Sequence, residues 1–554
     1  MKTNLFRILR MSAAAAVFAL LAVLFVDWGG DTSMSPLRSI ASPLARWQVV
    51  PAVMAVSVVP LVALAVLTLL FGRIYCSVLC PLGVLQDGVN VAAKVASKRA
   101  AMRFSYRKPR RWMRYGVLAL TVILIAAGVG AAVALVDPYG IFGRIIYDGL
   151  RPLAQGCNNF LAAVAGDSFA RETVSVSWVS AAIALIMLVI VVISAWRGGR
   201  AYCNSFCPVG TLLGEVSRAS LLRMRIDTDR CVSCGVCARK CKGSCIDPKS
   251  HTIDVTRCVV CFDCLDACPH GAISYTLVLG AATGNGAAST EDVSDVSEKR
   301  SEVVDESRRR FLTAVAVAAA SLPEVKAQAV QNSFATVARV KRPYERRHPV
   351  APAGAVSLEH LHAKCTSCHL CVSKCPGHVL QPAVMEYGLE GVMHPVMRFD
   401  KGYCLYECTL CGDVCPTGAI LPLDKEQKKE TFIGHAVFRR GLCVVHTDGV
   451  ECGNCADHCP AEAIRMVPAA DGRLYPEVER ALCIGCGRCE YVCPASPLSA
   501  IHVEGYAVHD DLESGGGERE HGQGRGQGHG QGQGRGQGRG YGRGHGRRRG
   551  AGEA

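Results

Sequence analysis

Thirty cysteines stand in this chain, most of them in short runs of one shape: three at intervals of two residues, then a fourth three residues further on. Cys231, Cys234, Cys237 and Cys241 form one run, and Cys258, Cys261, Cys264 and Cys268 the next. Cys365, Cys368, Cys371 and Cys375 repeat it, as do Cys483, Cys486, Cys489 and Cys493. Two runs stretch the first interval: Cys404, Cys408, Cys411, Cys415 and Cys443, Cys452, Cys455, Cys459. Three thiolates at this spacing wrap a 4Fe–4S cubane from one loop, while the fourth reaches the neighbouring cluster. The pattern implies about six such clusters, each a carrier of single electrons. Zinc is the competing reading. Zinc motifs pair two Cys-x2-Cys knuckles across a longer gap, whereas every run here holds its own closely spaced thiols.

Four more thiols occupy a repeated motif, Gly-Arg-x-Tyr-Cys-x3-Cys-Pro-x-Gly, which runs once from Gly72 to Gly83 and again from Gly199 to Gly210. Cys76, Cys80, Cys203 and Cys207, brought together at one membrane face, suit a seventh cluster or another metal. They equally suit a redox-active dithiol pair, or simply shape the turn. In the first module, Lys242 stands where proline would follow the run, and Cys245 comes shortly after, so Cys241 and Cys245 compete as the crossing ligand. Residues 360–504 hold sixteen cysteines in four runs, each followed by proline: Pro376, Pro416, Pro460 and Pro494. Spacing leaves open whether neighbouring runs pair, or the first with the fourth and the second with the third. Cys365-x2-Cys368-His369 also fits covalent haem attachment. It lies inside a complete run that would lose two ligands, and no haem is expected.

These thiols need a scaffold, and it begins with four apolar stretches, about 8–26, 49–71, 115–136 and 178–195, each long enough to cross a bilayer. Lys2, Arg7 and Arg10 precede the first, nine basic residues from Lys94 to Arg114 follow the second, and Arg197, Arg200, Arg218, Arg223 and Arg225 follow the fourth. The other two loops carry the acids Asp27, Asp31, Asp137, Asp148, Asp167 and Glu172. The positive-inside rule puts both ends of the unit in the cytoplasm. The net charge of +14 comes largely from the basic loop and the tail, so no nucleic-acid partner is expected.

The expected architecture is multidomain: a four-helix transmembrane unit plus two α+β ferredoxin-like iron–sulfur modules, with a disordered linker and tail. The membrane unit covers 1–225, and the first, two-cluster module covers 226–277. Residues 278–306 are Gly/Ala-rich and then acidic, a composition that cannot form a core. Ser307-Arg308-Arg309-Arg310-Phe311-Leu312 and the apolar residues after it read as a twin-arginine export signal over 307–330. Such export moves folded proteins, so clusters are built before bare thiols meet an oxidising compartment. A basic patch before a short helix is the plain alternative. The four-cluster module covers 331–508, and the Gly/Arg/Gln/His tail 509–554 reads as a solvated tether. Cys157 stands alone in the second outward loop, where a packed small residue is expected.

On these motifs the chain resembles a fusion of two subunits of the quinol-dehydrogenase module of periplasmic nitrate reductases. Residues up to about 277 resemble the NapH membrane proteins, through the four spans, the paired Tyr-Cys-x3-Cys-Pro motifs and the two-cluster ferredoxin. Residues of about 305–505 resemble the NapG/MauM ferredoxins, through the twin-arginine leader and four cluster motifs. The resemblance implies a multi-pass protein of the inner membrane, with residues 1–306 N-in/C-in and a periplasmic C-terminal module. It also implies quinol as substrate and a cytochrome or terminal reductase as periplasmic partner. Two rivals remain: a wholly cytoplasm-facing polyferredoxin, and a NosR-like electron donor or regulator for metalloenzyme maturation. The expected topology sets a problem. About 30 Å of hydrocarbon separates the modules, and with no histidine before His251 no bis-histidine haem spans it. Either quinol delivers electrons near the outer face, or a cluster lies deeper among the spans, or the inner clusters serve another electron source.

Overall fold

The computed structural model describes residues 2–26, 35–96, 104–165, 177–277 and 341–511. The linker, the export signal and most of the tail lie outside the described residues. Helices follow in the order α1 (Lys2–Phe25), α2 (Ser35–Arg46), α3 (Val49–Met54), α4 (Val58–Phe71), α5 (Tyr75–Val78), α6 (Pro81–Ala96) and α7 (Arg111–Ala126). Then come α8 (Gly130–Ala134), α9 (Pro138–Ile145), a π-helical turn (Ile146–Leu150), α10 (Arg151–Ala165), α11 (Trp178–Gly198), α12 (Ala201–Ser205) and α13 (Pro208–Val216).

Among the described residues, Leu5–Phe25 of α1 and Trp178–Gly198 of α11 are long and apolar enough to cross a membrane, and only 28% and 22% of these stretches are buried. The other two expected spans are interrupted. In stretch 49–71, Val56 N–H bonds to Val53 O and Ser57 N–H to Ala52 O, the bonding of a Schellman ending. Val56 is left with φ 52°, which β-branched residues rarely adopt. In stretch 115–136 Gly128 (φ 71°) ends α7 with the same bonds, to Ile125 O and from Val129 N–H to Leu124 O. α4 by itself reaches about 21 Å, short of the ~30 Å core. The four expected spans are therefore two continuous and two broken helices. Their outer faces are apolar, with Val58, Val62, Leu120, Ile123, Leu185 and Ile186 exposed.

The two cysteine-rich modules sit at opposite ends of this helical unit. At the start of α1, Arg7 pairs with Asp263 (3.2 Å) and Asp266 (3.1 Å) of the first module. At its end, Phe25 shares a core with Cys368 and Leu370 of the second. From Arg7 to Phe25 a helix rises about 27 Å. α7 repeats the geometry, from Arg114, whose Nη1 donates to Thr256 Oγ1 (3.1 Å), to Gly128 facing Ala363.

The first module closes with antiparallel β1 (Leu222–Ile226) and β4 (Ile273–Leu277), with β2 (Ile246–Asp247) and β3 (Thr252–Ile253) between them. The second holds three antiparallel pairs: β5 (Leu380–Pro382) with β6 (Pro395–Met397), β7 (Thr431–Phe438) with β10 (Ile501–Asp511), and β8 (Ile464–Pro468) with β9 (Leu474–Val478). β10 continues through 509–511, where the tail was expected to begin. Cys157, expected to be packed, is exposed on α10: it lies on the helix face turned away from the buried Arg151 and Gln155.

At the end nearest the first module one carboxylate ties three parts together. Asp87 of α6 meets Arg10 of α1 (3.2 Å), Arg200 before α12 (2.9 Å) and Lys242 of the first module (3.4 Å). Burial alone would raise its pKa, but the Arg200 guanidinium, then Lys242 and Arg10, hold the carboxyl well below the usual range. Asp87→Asn leaves the buried Arg10 and Arg200 short of a counter-charge, while Lys242 keeps Asp263 at 3.0 Å. It should cost about 3–5 kcal/mol, read as a lower thermal midpoint in detergent.

Candidate metal centres

Each run of the regular shape folds into the same loop. The second and fourth residues after its first cysteine take positive φ: Ser233 and Gly235, Val260 and Phe262, Ser367 and His369, Gly485 and Gly487. Alternating left-handed residues turn successive N–H groups inward and build a concavity for a negative group. A one-turn helix then carries the third cysteine, as in Val236–Lys240 and Leu370–Lys374.

Three cavities open inside these loops. Cys231, Cys234 and Cys237 line one together with Cys268. Cys258, Cys261 and Cys264 line the next with Cys241 and Cys245, and Cys365, Cys368 and Cys371 line the third with Cys415. The remaining twelve gather in the same sense. Cys411 lies among Cys404, Cys375 and Cys408. Cys455 lies beside Cys452 and Cys493, and Cys443 beside the same two. Cys489 lies beside Cys486, Cys483 and Cys459. Neighbouring runs therefore exchange their fourth cysteines, one of the two pairings that spacing left open. Backbone N–H groups cover those crossing sulfurs: Ala272 on Cys268 (3.3 Å), Ile420 on Cys415 (3.4 Å), Ala463 on Cys459 (3.3 Å) and Ala500 on Cys493 (3.2 Å). At Cys241 the amides of Gly243, Ser244 and Cys245 converge. Cys245 Sγ stands 3.5 Å from Cys241 Sγ.

Burial pushes the thiols of Cys261, Cys455 and Cys486 up to about 12. Such sulfurs ionise only beside a strong positive charge, which iron supplies. Among the described residues no three His, Cys, Asp or Glu side chains close at single-ion distances, as Zn–S bonds of about 2.3 Å would require. The donor set fits a larger cluster.

The paired motifs form a separate buried quartet. Cys76, Cys80, Cys203 and Cys207 are each 3–4% exposed, and Cys207 interacts electrostatically with the other three. Arg73 Nη2 faces Cys76 Sγ (3.8 Å), Gln86 Nε2 donates to Cys203 Sγ (3.2 Å), and Gly210 N–H to Cys207 Sγ (3.4 Å). The motif arginines cross between repeats. Arg200 Nη1 donates to Cys76 O (2.6 Å) and would meet a Cβ on Gly83 at 2.5 Å. Arg73, which donates to Asn204 Oδ1 (3.0 Å) and Thr256 O (2.6 Å), would meet a Cβ on Gly210 at 2.8 Å. Gly and Arg thus recur in the motif because each repeat's arginine packs on the other's glycine.

The quartet lies inside the helical unit. Cys76, Cys80 and Cys207 share one core with Cys261 of the first module and with Val133, Ile141 and Ile145 of α8–α9. The opposite face of α9, Tyr139 and Phe142, packs on Cys368. α9 thus contributes to the core that holds the quartet and to the core that holds Cys368 of the second module. That module docks closely: a Cβ on Gly130 would meet Cys365 O at 2.6 Å, on Gly140 Thr366 O at 2.8 Å, and on Gly143 Cys368 O at 2.5 Å. Arg144 Nη1 donates to Ser367 O (3.2 Å) across the same seam. The side chains of Asp137 and Asp148, two of the acids counted in the loops between the apolar stretches, are both buried here. Asp137 caps α9 through the N–H groups of Tyr139 and Gly140.

Loops of this kind, gathered in pairs, define an iron–sulfur protein of ferredoxin type, and comparison with known proteins agrees. A family model described as "4Fe-4S binding domain" matches residues 53–99 and 180–227, around the quartet motifs. One described as "4Fe-4S dicluster domain" matches 364–419 and 450–496. The methylamine utilization ferredoxin-type protein MauM of Paracoccus denitrificans is 32% identical over 168 residues, 29% of this chain and 73% of that one. The ferredoxin-type protein NapG of Escherichia coli K12 is 30% identical over 203 residues, 35% of this chain and 84% of the relative. The ferredoxin-type protein NapF of the same strain is 27% identical over 157 residues, 28% and 87% respectively. No solved structure matches. The chain belongs to the NapG/MauM family of ferredoxin-type proteins, and its function is iron–sulfur electron transfer related to the Nap and Mau systems.

Proposed function

We propose that this chain is a quinol dehydrogenase component of the inner membrane, a NapH-like unit joined to a NapG-like one, that passes electrons from quinol to a periplasmic cytochrome or terminal reductase. The observation that carries this reading is the docking of two ferredoxin-type modules at opposite ends of one apolar helical unit, with four buried thiols between them. The exposed apolar faces of α4, α7 and α11 belong against lipid. The first module then faces the cytoplasm and the second the periplasm.

Bound clusters supply one-electron carriage. The protein's part is to space and shield them. In each of the six groups above, three cysteines of one run and the crossing fourth of its neighbour are the ligands, with Cys241, not Cys245, completing the inner site. The amides on the sulfurs stabilise the anionic centres, and the packed cores exclude water. The thiol quartet holds a seventh centre, which links the inner module to the outer one.

The protein, purified without oxygen and returned to vesicles, tests this. A short-chain quinol should reduce the clusters of the C-terminal module, seen as new EPR signals, to the extent that dithionite does. Clusters that dithionite reduces and quinol leaves oxidised would reject the quinol reading in favour of a polyferredoxin fed only by soluble carriers.

A further inference from the structure

We propose that quinol is oxidised at the π-helical turn Ile146–Leu150, with the Asp148 carboxylate as proton acceptor, next to the cavity of Cys365, Cys368, Cys371 and Cys415. The inference rests on the quinol reading above and adds the place and the residues. π-Helical turns are rare and concentrate at functional sites. This one forces Asp148 inward, its side chain 1% exposed. Oδ2 accepts from Ser180 Oγ of α11 at 2.7 Å, and Oδ1 has no partner among the described residues.

Among the described residues, buried polar atoms of the side chains next along the chain and of the facing loop also lack hydrogen bonds: Tyr147 Oη, Arg151 Nε and Nη1, and His369 Nδ1. His369 Nδ1 lies 4.0 Å from Asp148 Oδ2, while its Nε2 is occupied by Met393 O at 3.1 Å. Its ring stands edge-on to Tyr147 at 5.4 Å, and the Arg151 guanidinium lies 5.2 Å over the same tyrosine. Buried polar groups are nearly always satisfied, so several orphans within one turn call for a ligand. A flat ring with a hydroxyl at each end matches them: one hydroxyl for Asp148, donors from Arg151 and Tyr147 for the oxygens.

Two further features fit that substrate. His369 follows Cys368 and lines the same cavity, and Tyr147 is packed in one core with Val372, Cys371 and Cys375, so an electron has a short way to go. Leu150 at the end of the turn, Leu153 beyond it and Trp178 before Ser180 are exposed and apolar, as an entrance from lipid must be.

Oxidation breaks two O–H bonds and releases two protons and two electrons. Asp148 takes the first proton, and the cluster that Cys365, Cys368, Cys371 and Cys415 would hold would accept the first electron. The carboxylate passes that proton to outer water and takes the second as the second electron follows the same path. Quinone departs, and two equivalents of the outer one-electron acceptor take the two electrons, one each. His369 only orients a hydroxyl.

The test uses the full chain in vesicles. Asp148→Asn keeps the shape and removes the base. It should slow quinol-driven cluster reduction about a hundredfold while dithionite still reduces the full cluster complement. An azidoquinone probe on the unaltered protein should label residues 146–151 or 178–180. Reduction of Asp148→Asn at the unaltered rate, or labelling confined to another segment, overturns the site and leaves the quinol reading standing. If quinol reduces nothing in the unaltered protein, both fall. Should Asp148→Asn lose its clusters, the probe's position alone decides.

Discussion

Cys203→Ser leaves the outer clusters oxidised when electrons enter only from the inner side. The setting is a sealed vesicle with the first module facing the medium and a reduced protein carrier, too large to cross, as donor. In the unaltered protein, electrons entering near Cys231 and Cys234 pass by way of the group around Cys261 to the quartet, which shares a core with that residue. From there they pass by α9, which contributes to that core and to the one holding Cys368. Serine keeps the volume and the helix but gives up a soft anionic ligand, and its hydroxyl cannot replace the sulfur that Gln86 now holds at 3.2 Å. Two readouts should move together: iron falls by about four per chain, and the EPR signals of the outer module stay absent after addition of the donor. Quinol-driven reduction should be unchanged, because Asp148 and His369 lie on the outer side of α9. Outer clusters that fill at the original rate, with iron undiminished, would make the quartet a structural turn and nothing more.

What could be read from the chain was local chemistry. Runs such as Cys365, Cys368 and Cys371 wrap a cavity because spacing sets which sulfurs one loop can aim inward, and spacing is a property of sequence. The repeat from Gly72 to Gly83 and from Gly199 to Gly210 was legible for the same reason. What its arginines do was not, since Arg73 and Arg200 each act across the repeat boundary. Pairing of runs was equally hidden: the distance between Cys371 and Cys415 depends on the fold between them. Hydropathy read two broken helices as spans. Gly128 was a visible break, but Val56 was not, because a β-branched residue in the left-handed region runs against its own preference. The costliest miss was Asp148. A charge count treats every loop carboxylate as solvated, and nothing in the sequence announces the π-helical turn that buries this one.

Replacing Arg308 and Arg309 together by lysine should invert the sidedness of the whole C-terminal module. Lysine keeps the charge, so a merely basic patch would tolerate the change, whereas a signal read through paired guanidinium groups would not. These residues lie outside the described part of the chain, but what depends on them is described. Gly130, Gly140 and Gly143 form a face that fits the carbonyls of Cys365, Thr366 and Cys368 too closely for any side chain, and Arg144, fully buried, has Ser367 O as a partner. That face lies at the far end of α1 from Arg7 and the first module. A module kept in the cytoplasm cannot reach it, and Arg144 would lose the carbonyl of Ser367 and keep that of Ala134. Protease added to spheroplasts should cut within or before residues 341–511 in the unaltered protein and leave them intact in the double variant. The stranded chain should also lose quinol-driven reduction of its outer clusters while the inner ones still accept electrons from a soluble donor. Unchanged digestion would mean that the second module reaches the outer end by some other route, or that both modules face the same side and the membrane does not lie across α1.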